Sequence, residues 1–262
     1  MKMYLASMEN QVPLLTKMGH VKYVLLSYFY LNKKSDNLEQ ILEKVDKVLI
    51  DSGAFSFQRG TKVDYDQYTF EYMQFIKKYA NHPKIEGFFE MDIDKIVGYE
   101  KVLHYRKVLE SVSDKIIPVW HSNRGVDEFI KMCKQYSGKR VAITGFINGD
   151  VVDSQYNLFL NTAHKYGCTM HILGMTRLDF MKELNLGEND SFDSNTWLRG
   201  GIFGTIFLPK NGTAIKRIYA YQGLREKYLD LAMHKFNLCT FAMVQENIDT
   251  IDQSVEIEKD VV

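Results

Sequence analysis

The sequence predicts an α/β fold, a single-domain (β/α)8 barrel of the TIM type, and three observations point to it. Short runs of β-branched and aromatic residues alternate with longer amphipathic segments, which is typical of parallel α/β folds. The chain of 262 residues has the length of one such barrel. It contains only four prolines and no Gly/Ser-rich linker, which favours one domain. A doubly wound open sheet has the same alternation and is the alternative.

The elements can be placed in order along the chain. Strands are predicted near 3–6, 22–28, 47–51, 86–91, 115–120, 140–145, 169–174 and 190–193. We expect the barrel to occupy 1–210, with a turn over 208–212, C-terminal helices over 211–245 and a polar tail over 246–262. Apolar or aromatic residues at helical spacing mark four of the intervening helices: Leu38, Ile41, Leu42 and Val45; Tyr68, Tyr72, Phe75 and Tyr79; Val126, Phe129, Ile130 and Cys133; Leu158, Phe159, Ala163 and Tyr166.

Composition narrows the class of protein. The 33 basic and 33 acidic side chains cancel, so a nucleic-acid partner needs a local basic face. Three widely spaced cysteines, with no signal peptide and no membrane-spanning run, predict a cytoplasmic protein without membrane association. We expect no cofactor and no metal. The nearest approach to a metal cluster is His164, Cys168 and His171, but its last two members belong to a strand start, away from the strand ends, and are expected to be structural.

Three carboxylates follow apolar strands directly, namely Asp51, Asp92 and Asp193. The carboxyl ends of barrel strands meet at one mouth, where catalytic sites are built, so these residues are expected to share a pocket. An aspartate in such a position also caps a helix or a turn, and Asp94 beside Asp92 fits a solvated loop.

Other predicted strand ends carry residues suited to a flat ligand. They are Trp120-His121-Ser122-Asn123, Thr144-Gly145-Phe146 and His171-Ile172-Leu173-Gly174-Met175. Glycines let a ligand approach backbone amides and carbonyls closely. Together with the carboxylates, these segments indicate a pocket for a hydrogen-bonding heterocycle.

Four segments between residues 47 and 205 carry a family resemblance. Asp51-Ser52-Gly53-Ala54-Phe55 resembles the Asp-Ser-Gly-Gly-Phe motif of the tRNA-guanine transglycosylases. Ala142-Ile143-Thr144-Gly145-Phe146 is similar to their Ala-Ile-Gly-Gly-Leu, and His171-Ile172-Leu173-Gly174-Met175 to their Tyr-Leu-Met-Gly-Val. Ser191-Phe192-Asp193-Ser194 resembles their Met-Phe-Asp-Cys, with Arg199 six residues later, as in the family.

The resemblance implies a barrel that exchanges guanine in a nucleic acid for a 7-deazaguanine base. Asp193 would be the nucleophile that forms a covalent glycosyl-enzyme, and Asp51 the general acid/base. Free guanine and 7-deazaguanine would be the small-molecule partners. The remaining base-binding residues implied are Ser52, Asp92, His121, Gly145, Phe146, Leu173 and Gly174, with His121 near the place of a family glutamine.

The chain also departs from this family, because it lacks the Cys-x-Cys-x-x-Cys and His zinc site of the C-terminal insert that helps to hold tRNA. Shortened relatives act on DNA in bacteriophages, where deazaguanines block restriction enzymes. DNA is therefore the expected polynucleotide, tRNA is the alternative, and a homodimer remains open. The basic residues expected to contact phosphates are Arg199, Lys210, Lys216, Arg217, Arg225 and Lys227, for which a solvated helix face is the alternative.

Two other classes of function fit the same residues. One is a barrel that binds a base or a nucleic acid without turnover, although recognition alone needs no nucleophile. The other is a hydrolase that cleaves an N-glycosidic bond with paired carboxylates, which differs from exchange only in whether water reaches the intermediate.

Overall fold

A parallel, barrel-shaped sheet forms the centre of the fold. The computed structural model describes residues 1–18, 20–33, 35–57, 63–144, 149–175, 177–210, 214–219 and 227–248. Nine strands pair in the order β5-β4-β3-β2-β1-β9-β8-β7-β6, and every pairing is parallel. Their bounds are β1 Lys2–Ala6, β2 Val21–Ser27, β3 Val45–Asp51, β4 Ile85–Phe89, β5 Ile116–Ile117, β6 Val119–Trp120, β7 Arg140–Thr144, β8 Thr169–Leu173 and β9 Ser191–Ser194.

The two edges of this sheet come from adjacent residues, so the barrel is nearly closed. Strands β5 and β6 are separated only by Pro118, which has no N–H to contribute to a ladder. β5 pairs with β4 and β6 pairs with β7, while the Pro118 carbonyl still accepts a hydrogen bond from Ala142 at 2.9 Å. The predicted strand positions are confirmed, and the strand expected over 115–120 is interrupted at its proline.

Helices connect the strands and cover the outside of the sheet. They are α1 Val12–Met18, α2 Tyr28–Leu31, α3 Ser35–Lys44, α4 Ala54–Phe57, α5 Tyr65–Tyr79, α6 Asp94–Val97, α7 Tyr99–Glu110, α8 Val126–Gln135, α9 Tyr156–Lys165, α10 Leu178–Met181, α11 Thr196–Ile202 and α12 Lys227–Asn247. Asp64 caps α5, because its side chain accepts the backbone N–H groups of Asp66 and Gln67. No helix in the described part of the chain is long and apolar enough to cross a membrane.

Alternation along the strands separates two apolar layers. The inner layer fills the barrel with Tyr4, Ala6, Leu25, Leu49, Phe89, Ile117, Val119 and Ala142. The outer layer lies between sheet and helices and includes Ile41, Tyr72, Val102, Phe129 and Phe159. Residues after the inner layer along each strand therefore point towards the mouth of the barrel, at the carboxyl ends of the strands.

The amino-terminal end of the barrel is closed by a polar network around Glu86. This carboxylate pairs with Lys2 at 2.9 Å and with Arg140 at 3.4 Å, and it accepts the hydroxyl of Tyr4. A cavity of about 470 Å³ lies at this end and is lined in part by Met1, Tyr23 and Ile248. It is thus separated from the mouth by the apolar inner layer.

The C-terminal region corrects the expectation of helices over 211–245. Residues Thr205–Lys210 form β10 and Ala214–Tyr219 form β11, an antiparallel hairpin, and α12 begins only at Lys227. The two runs are rich in β-branched and aromatic residues around a Pro-Lys-Asn-Gly sequence, which is a hairpin pattern rather than a helical one. Asn237 of α12 fixes the hairpin by accepting from Phe207 N at 2.9 Å and donating to the Thr205 carbonyl at 2.9 Å.

Candidate active site

Asp193 lies near the end of β9, next to β1 and β8, with only 8% of its surface exposed. Its Oδ1 accepts the backbone N–H of Gly174 at 2.8 Å and lies 3.3 Å from Nε2 of His171. Gly174 has φ of 68°, the left-handed region in which glycine is favoured. No described residue donates a hydrogen bond to Oδ2 of Asp193, so one carboxylate oxygen is held and the other is available.

Asp51 is the last residue of β3, and its Oδ2 accepts the N–H of Gly53 at 2.9 Å. Gly53 has φ of 89°, and a Cβ there would lie 2.5 Å from Cβ of Phe29, so the turn requires glycine. Burial, together with the neighbouring carboxylates of Asp92 and Asp193, raises the pKa of Asp51 to about 8, although the Gly53 hydrogen bond opposes this rise. The Asp51 carboxyl therefore holds a proton at neutral pH.

Asp92 and His121 face each other across the ends of the next strands. Nε2 of His121 lies 3.4 Å from Oδ2 of Asp92, without the angles of a hydrogen bond. Both Oδ1 of Asp92 and Nε2 of His121 are buried and have no hydrogen-bond partner among the described residues. Burial raises the pKa of Asp92, although His121 lowers it. Burying an unpaired acceptor and an unpaired donor costs free energy unless a ligand satisfies them. Together the two atoms match the edge of a ligand that carries both a hydrogen-bond donor and an acceptor.

Asp150 fixes the orientation and the charge of His121. Its carboxylate lies 3.1 Å from Nδ1 of His121 and accepts the hydroxyls of Ser122 and Thr144. Burial alone would lower the pKa of His121, but Asp92, Asp150 and Asp94 outweigh it and raise that pKa. Despite burial, these hydrogen bonds lower the pKa of Asp150 to about 2. These carboxylates therefore favour the protonated form of His121, which is the stronger donor towards the pocket.

A buried ion network supports the Asp92 loop. Asp94 accepts Nε of Arg124 at 3.1 Å, and Glu90 pairs with Arg106 at 2.5 Å and Arg124 at 3.4 Å. The expectation that Asp94 belongs to a solvated loop is wrong, because only 7% of the residue is exposed. The arginine makes the burial of this carboxylate tolerable.

Sequence reasoning missed Glu9, which follows β1 and is 4% exposed. Its carboxylate accepts the backbone N–H of Ser27, the residue that pairs in register with Asp51. Burial raises the pKa of Glu9 to about 7, although the Ser27 hydrogen bond opposes this rise. Glu9 also helps to raise the pKa of Asp51. The sequence signal was weak, because Glu9 follows no apolar run directly.

The other expected base-binding residues have different placements. The hydroxyl of Ser52 is buried without a hydrogen-bond partner in the described part of the chain, and the Ser52 carbonyl accepts the Tyr68 hydroxyl at 2.7 Å. Leu173 packs half-buried against the inner apolar layer. The Gly174 amide binds Asp193. Gly145 and Phe146 lie outside the described residues.

The basic residues that the structure describes are spread over α11, the β10–β11 hairpin and the start of α12. Arg199 is exposed on α11, with its guanidinium 6.0 Å from the ring of Phe203. The β10–β11 hairpin contains Lys210 in β10 and Lys216 and Arg217 in β11. Lys216 pairs in register with Leu208. Lys227 begins α12, and Arg225 lies outside the described residues.

The histidines and cysteine considered as a metal cluster do not converge. Nε2 of His164 binds Asp190 at 2.6 Å, and Sγ of Cys168 donates to the carbonyls of Cys133 and Tyr136. His171 points into the barrel instead, where it contacts Asp193, so its expected placement away from the mouth is wrong. Although His171 lies inside β8, its side chain extends within the barrel as far as Asp193 near the end of β9. Across the described ranges, no three His, Cys, Asp or Glu side chains are grouped as metal ligands.

No known protein-family model matches the chain. No curated protein is significantly similar to it in sequence. The functional argument therefore depends on the residues at the mouth and their geometry.

Proposed function

We propose that the chain is a base-exchange glycosyltransferase that replaces guanine in DNA with a 7-deazaguanine base. One observation carries the proposal: two carboxyl groups at one mouth are held differently. The pKa of Asp51 is raised to about 8, so this carboxyl holds a proton near neutral pH, whereas Asp193 has one oxygen bound by the Gly174 amide and, among the described residues, no donor to the other. A proton donor paired with a carboxylate nucleophile is the combination that cleavage of a glycosidic bond requires.

The first half-reaction forms the glycosyl-enzyme. Oδ2 of Asp193 attacks C1′ of the target nucleotide, and the C1′–N9 bond breaks with its electron pair passing to guanine. The proton of Asp51 moves to the departing base, which leaves as neutral guanine. A carboxylate suits this role because it stabilises the positive charge that develops at C1′ and can later be displaced as an ester.

The second half-reaction reverses these steps with another base. The incoming 7-deazaguanine loses its N9 proton to the Asp51 carboxylate, and N9 attacks C1′. The ester bond to Asp193 breaks, and its electron pair returns to the carboxylate. A base that occupies the pocket also keeps water from C1′, which favours exchange over hydrolysis.

Base recognition follows from the unsatisfied polar atoms of Asp92 and His121. Oδ1 of Asp92 can accept N–H groups of a guanine-like edge, and Nε2–H of His121 can donate to its carbonyl oxygen. A purine with both features satisfies both buried atoms at once. This supports guanine and 7-deazaguanine over pyrimidines as the exchanged bases.

Counting β5 and β6 as one strand broken at Pro118 makes the sheet an eight-stranded (β/α)8 barrel, which we include in the proposal. The described candidates Asp51, Asp92, His121 and Asp193 then lie at its C-terminal face, where such barrels carry catalysis. We further place the enzyme in the cytoplasm, and in that of the host cell if a phage encodes it.

DNA is the proposed polynucleotide, and tRNA is the competing substrate. The support is the absence of the zinc-ligand spacing and the basic hairpin close after Asp193. An exchange assay with radiolabelled guanine, offering single-stranded DNA, duplex DNA and unmodified tRNA side by side, tests the assignment. We expect incorporation into DNA, faster with single strands because the base is already unstacked. Incorporation confined to tRNA would overturn the DNA assignment, and none into any polynucleotide would overturn base exchange.

A further inference from the structure

We infer that His171 is the positioning residue of the proposed nucleophile: its Nε2–H holds Oδ1 of Asp193 and so leaves Oδ2 to attack. The inference deepens the proposed function and rests on it for its catalytic meaning. It starts from a chain of three buried side chains on adjacent strands. Ser191 Oγ lies 2.8 Å from Nδ1 of His171, whose Nε2 lies 3.3 Å from Oδ1 of Asp193.

The hydrogen-bond pattern assigns the tautomer. A carboxylate can only accept a hydrogen bond, so Nε2 of His171 must carry the proton and donate the hydrogen bond to Asp193. A neutral imidazole has one donor and one acceptor, and Nδ1 therefore accepts the hydroxyl of Ser191. Each polar atom of the ring has one partner, so both the flip and the tilt of the ring are fixed.

The surroundings keep this ring neutral. His171 is fully buried in the barrel, with the rings of Phe89 and Tyr4 at 5.1 and 5.9 Å. Burial lowers the pKa of His171, and the nearby Arg140 lowers it too, while Asp193 opposes them. Arg140 itself pairs with Glu86 at the far end of the barrel. The groups that face the ring thus favour the uncharged donor.

The series of Ser191, His171 and Asp193 differs from the Ser-His-Asp arrangement of hydrolases in which member lies nearest the mouth and in the burial of its serine. Ser191 is fully buried, so no substrate carbonyl can reach its hydroxyl. Asp193 is the member nearest the mouth, which makes the serine the anchor and the aspartate the reactive end. His171 therefore moves no proton in the reaction.

The pairing also suits the intermediate. When Oδ2 bonds to C1′, Oδ1 becomes the carbonyl oxygen of the ester and still accepts from His171 and from Gly174. The same two donors thus serve both half-reactions without rearrangement. Loss of one leaves the carboxylate free to rotate, and small misplacements of a reacting atom are expensive.

Kinetics provide the first test. His171→Leu should slow glycosyl-enzyme formation about a hundredfold with KM for guanine unchanged, because orientation is lost and the base pocket is intact. His171→Gln places an amide N–H near the Nε2 position and should recover most of the rate with an unaltered pH profile. His164→Leu is the matched control, because that histidine pairs with Asp190 away from the mouth. Unchanged rates in His171→Leu, or loss of a titrating limb in His171→Gln, would overturn the positioning role.

Nuclear magnetic resonance tests the pairing without any dependence on activity. Long-range ¹H–¹⁵N spectra of histidine-labelled protein should show His171 protonated at Nε2 alone between pH 6 and 8. The His171→Gln spectrum identifies the signal, and Ser191→Ala should shift its Nδ1 resonance. A ring protonated at Nδ1, or doubly protonated at pH 7.5, would overturn the inference. Absence of exchange by the native enzyme would instead contradict the proposed function and leave this pairing measurable.

Discussion

The backbone N–H of Gly174 donates to Oδ1 of Asp193 at 2.8 Å and joins the end of β8 to the end of β9. This bond holds one oxygen of a carboxylate that points towards the mouth of the barrel. Gly174 had been expected to bind the base, but its amide is used by Asp193 instead. The Gly174 amide therefore organises the nucleophile in our proposal, and base recognition depends on Asp92 and His121.

The rate of exchange should depend on the proton of Asp51. The pKa of this carboxyl is raised to about 8, so the acid form is lost as pH rises through that value. We expect kcat to fall above about pH 8 in a pH–rate profile. Asp51→Asn should lower kcat about a hundredfold or more and remove the descending limb. A limb that persists in this variant would assign it to another group.

Stability should also fall with rising pH, through Glu9. The folded pKa of about 7 lies above the ordinary value of 4.5, so the folded chain binds more protons than the unfolded chain between these values. The stabilisation is complete below about pH 4.5 and is lost as pH rises through 7. Glu9→Gln should flatten this decline, by on the order of 1 kcal/mol per pKa unit. Urea denaturation at pH 5 and pH 8.5 measures it, and parallel declines in both proteins would contradict the prediction.

Binding of the base should depend on Asp150 through His121. Asp150→Asn removes a negative charge that favours the protonated form of His121, and a neutral ring is a weaker donor to a carbonyl oxygen. We expect KM for guanine at pH 7.5 to rise about tenfold, equivalent to about 1.4 kcal/mol, with a smaller change in kcat. Asp153→Asn, which affects only an exposed pair with Arg177, is the control. An equal effect of both variants would show that the Asp150 effect is not specific.

The polynucleotide should contact the hairpin. Reversing Lys216 and Arg217 to Glu should weaken binding of single-stranded DNA and flatten the slope of log K against log salt by roughly 1.4, about 0.7 per contact. The exposed lysines of α5, Lys77 and Lys78, reversed in the same way, form the matched control. Fluorescence anisotropy at several salt concentrations measures both. An identical slope for native protein and hairpin variant would remove the hairpin from the interface.

The order of strands and helices could be predicted because periodicity is local. Short runs of β-branched and aromatic residues predicted the strands, and helical spacing predicted the helices between them. The parallel topology then placed residues such as Asp51 and Asp193 at the same end. The hairpin was missed because Ile215, Ile218 and Tyr219 were assigned to a helix although β-branched and aromatic residues suit a strand. A local sequence pattern distinguishes a hairpin from a helix only when the turn residues are considered together with the runs on both sides of them.

The connections between side chains could not be predicted in the same way. The role of His171 depends on the register of β8 against β9, and that of Asp150 on a loop returning to His121. Glu9 reaches Ser27 only because the chain turns after β1. Such contacts join residues far apart in sequence, and spacing carries no information about them.

The central claim is a covalent bond between Asp193 and the sugar of the polynucleotide. Intact-protein mass spectrometry of enzyme mixed with a guanine-containing single-stranded DNA, and quenched in acid before free base is added, tests it most directly. We expect a protein–DNA adduct whose peptide maps to Asp193, and none with Asp193→Asn, where the barrier rises by at least about 4 kcal/mol, or a thousandfold. The surface variant Asp114→Asn should form the adduct as the native enzyme does. An equal adduct in Asp193→Asn, or exchange by the native enzyme through an adduct on another residue, would contradict it.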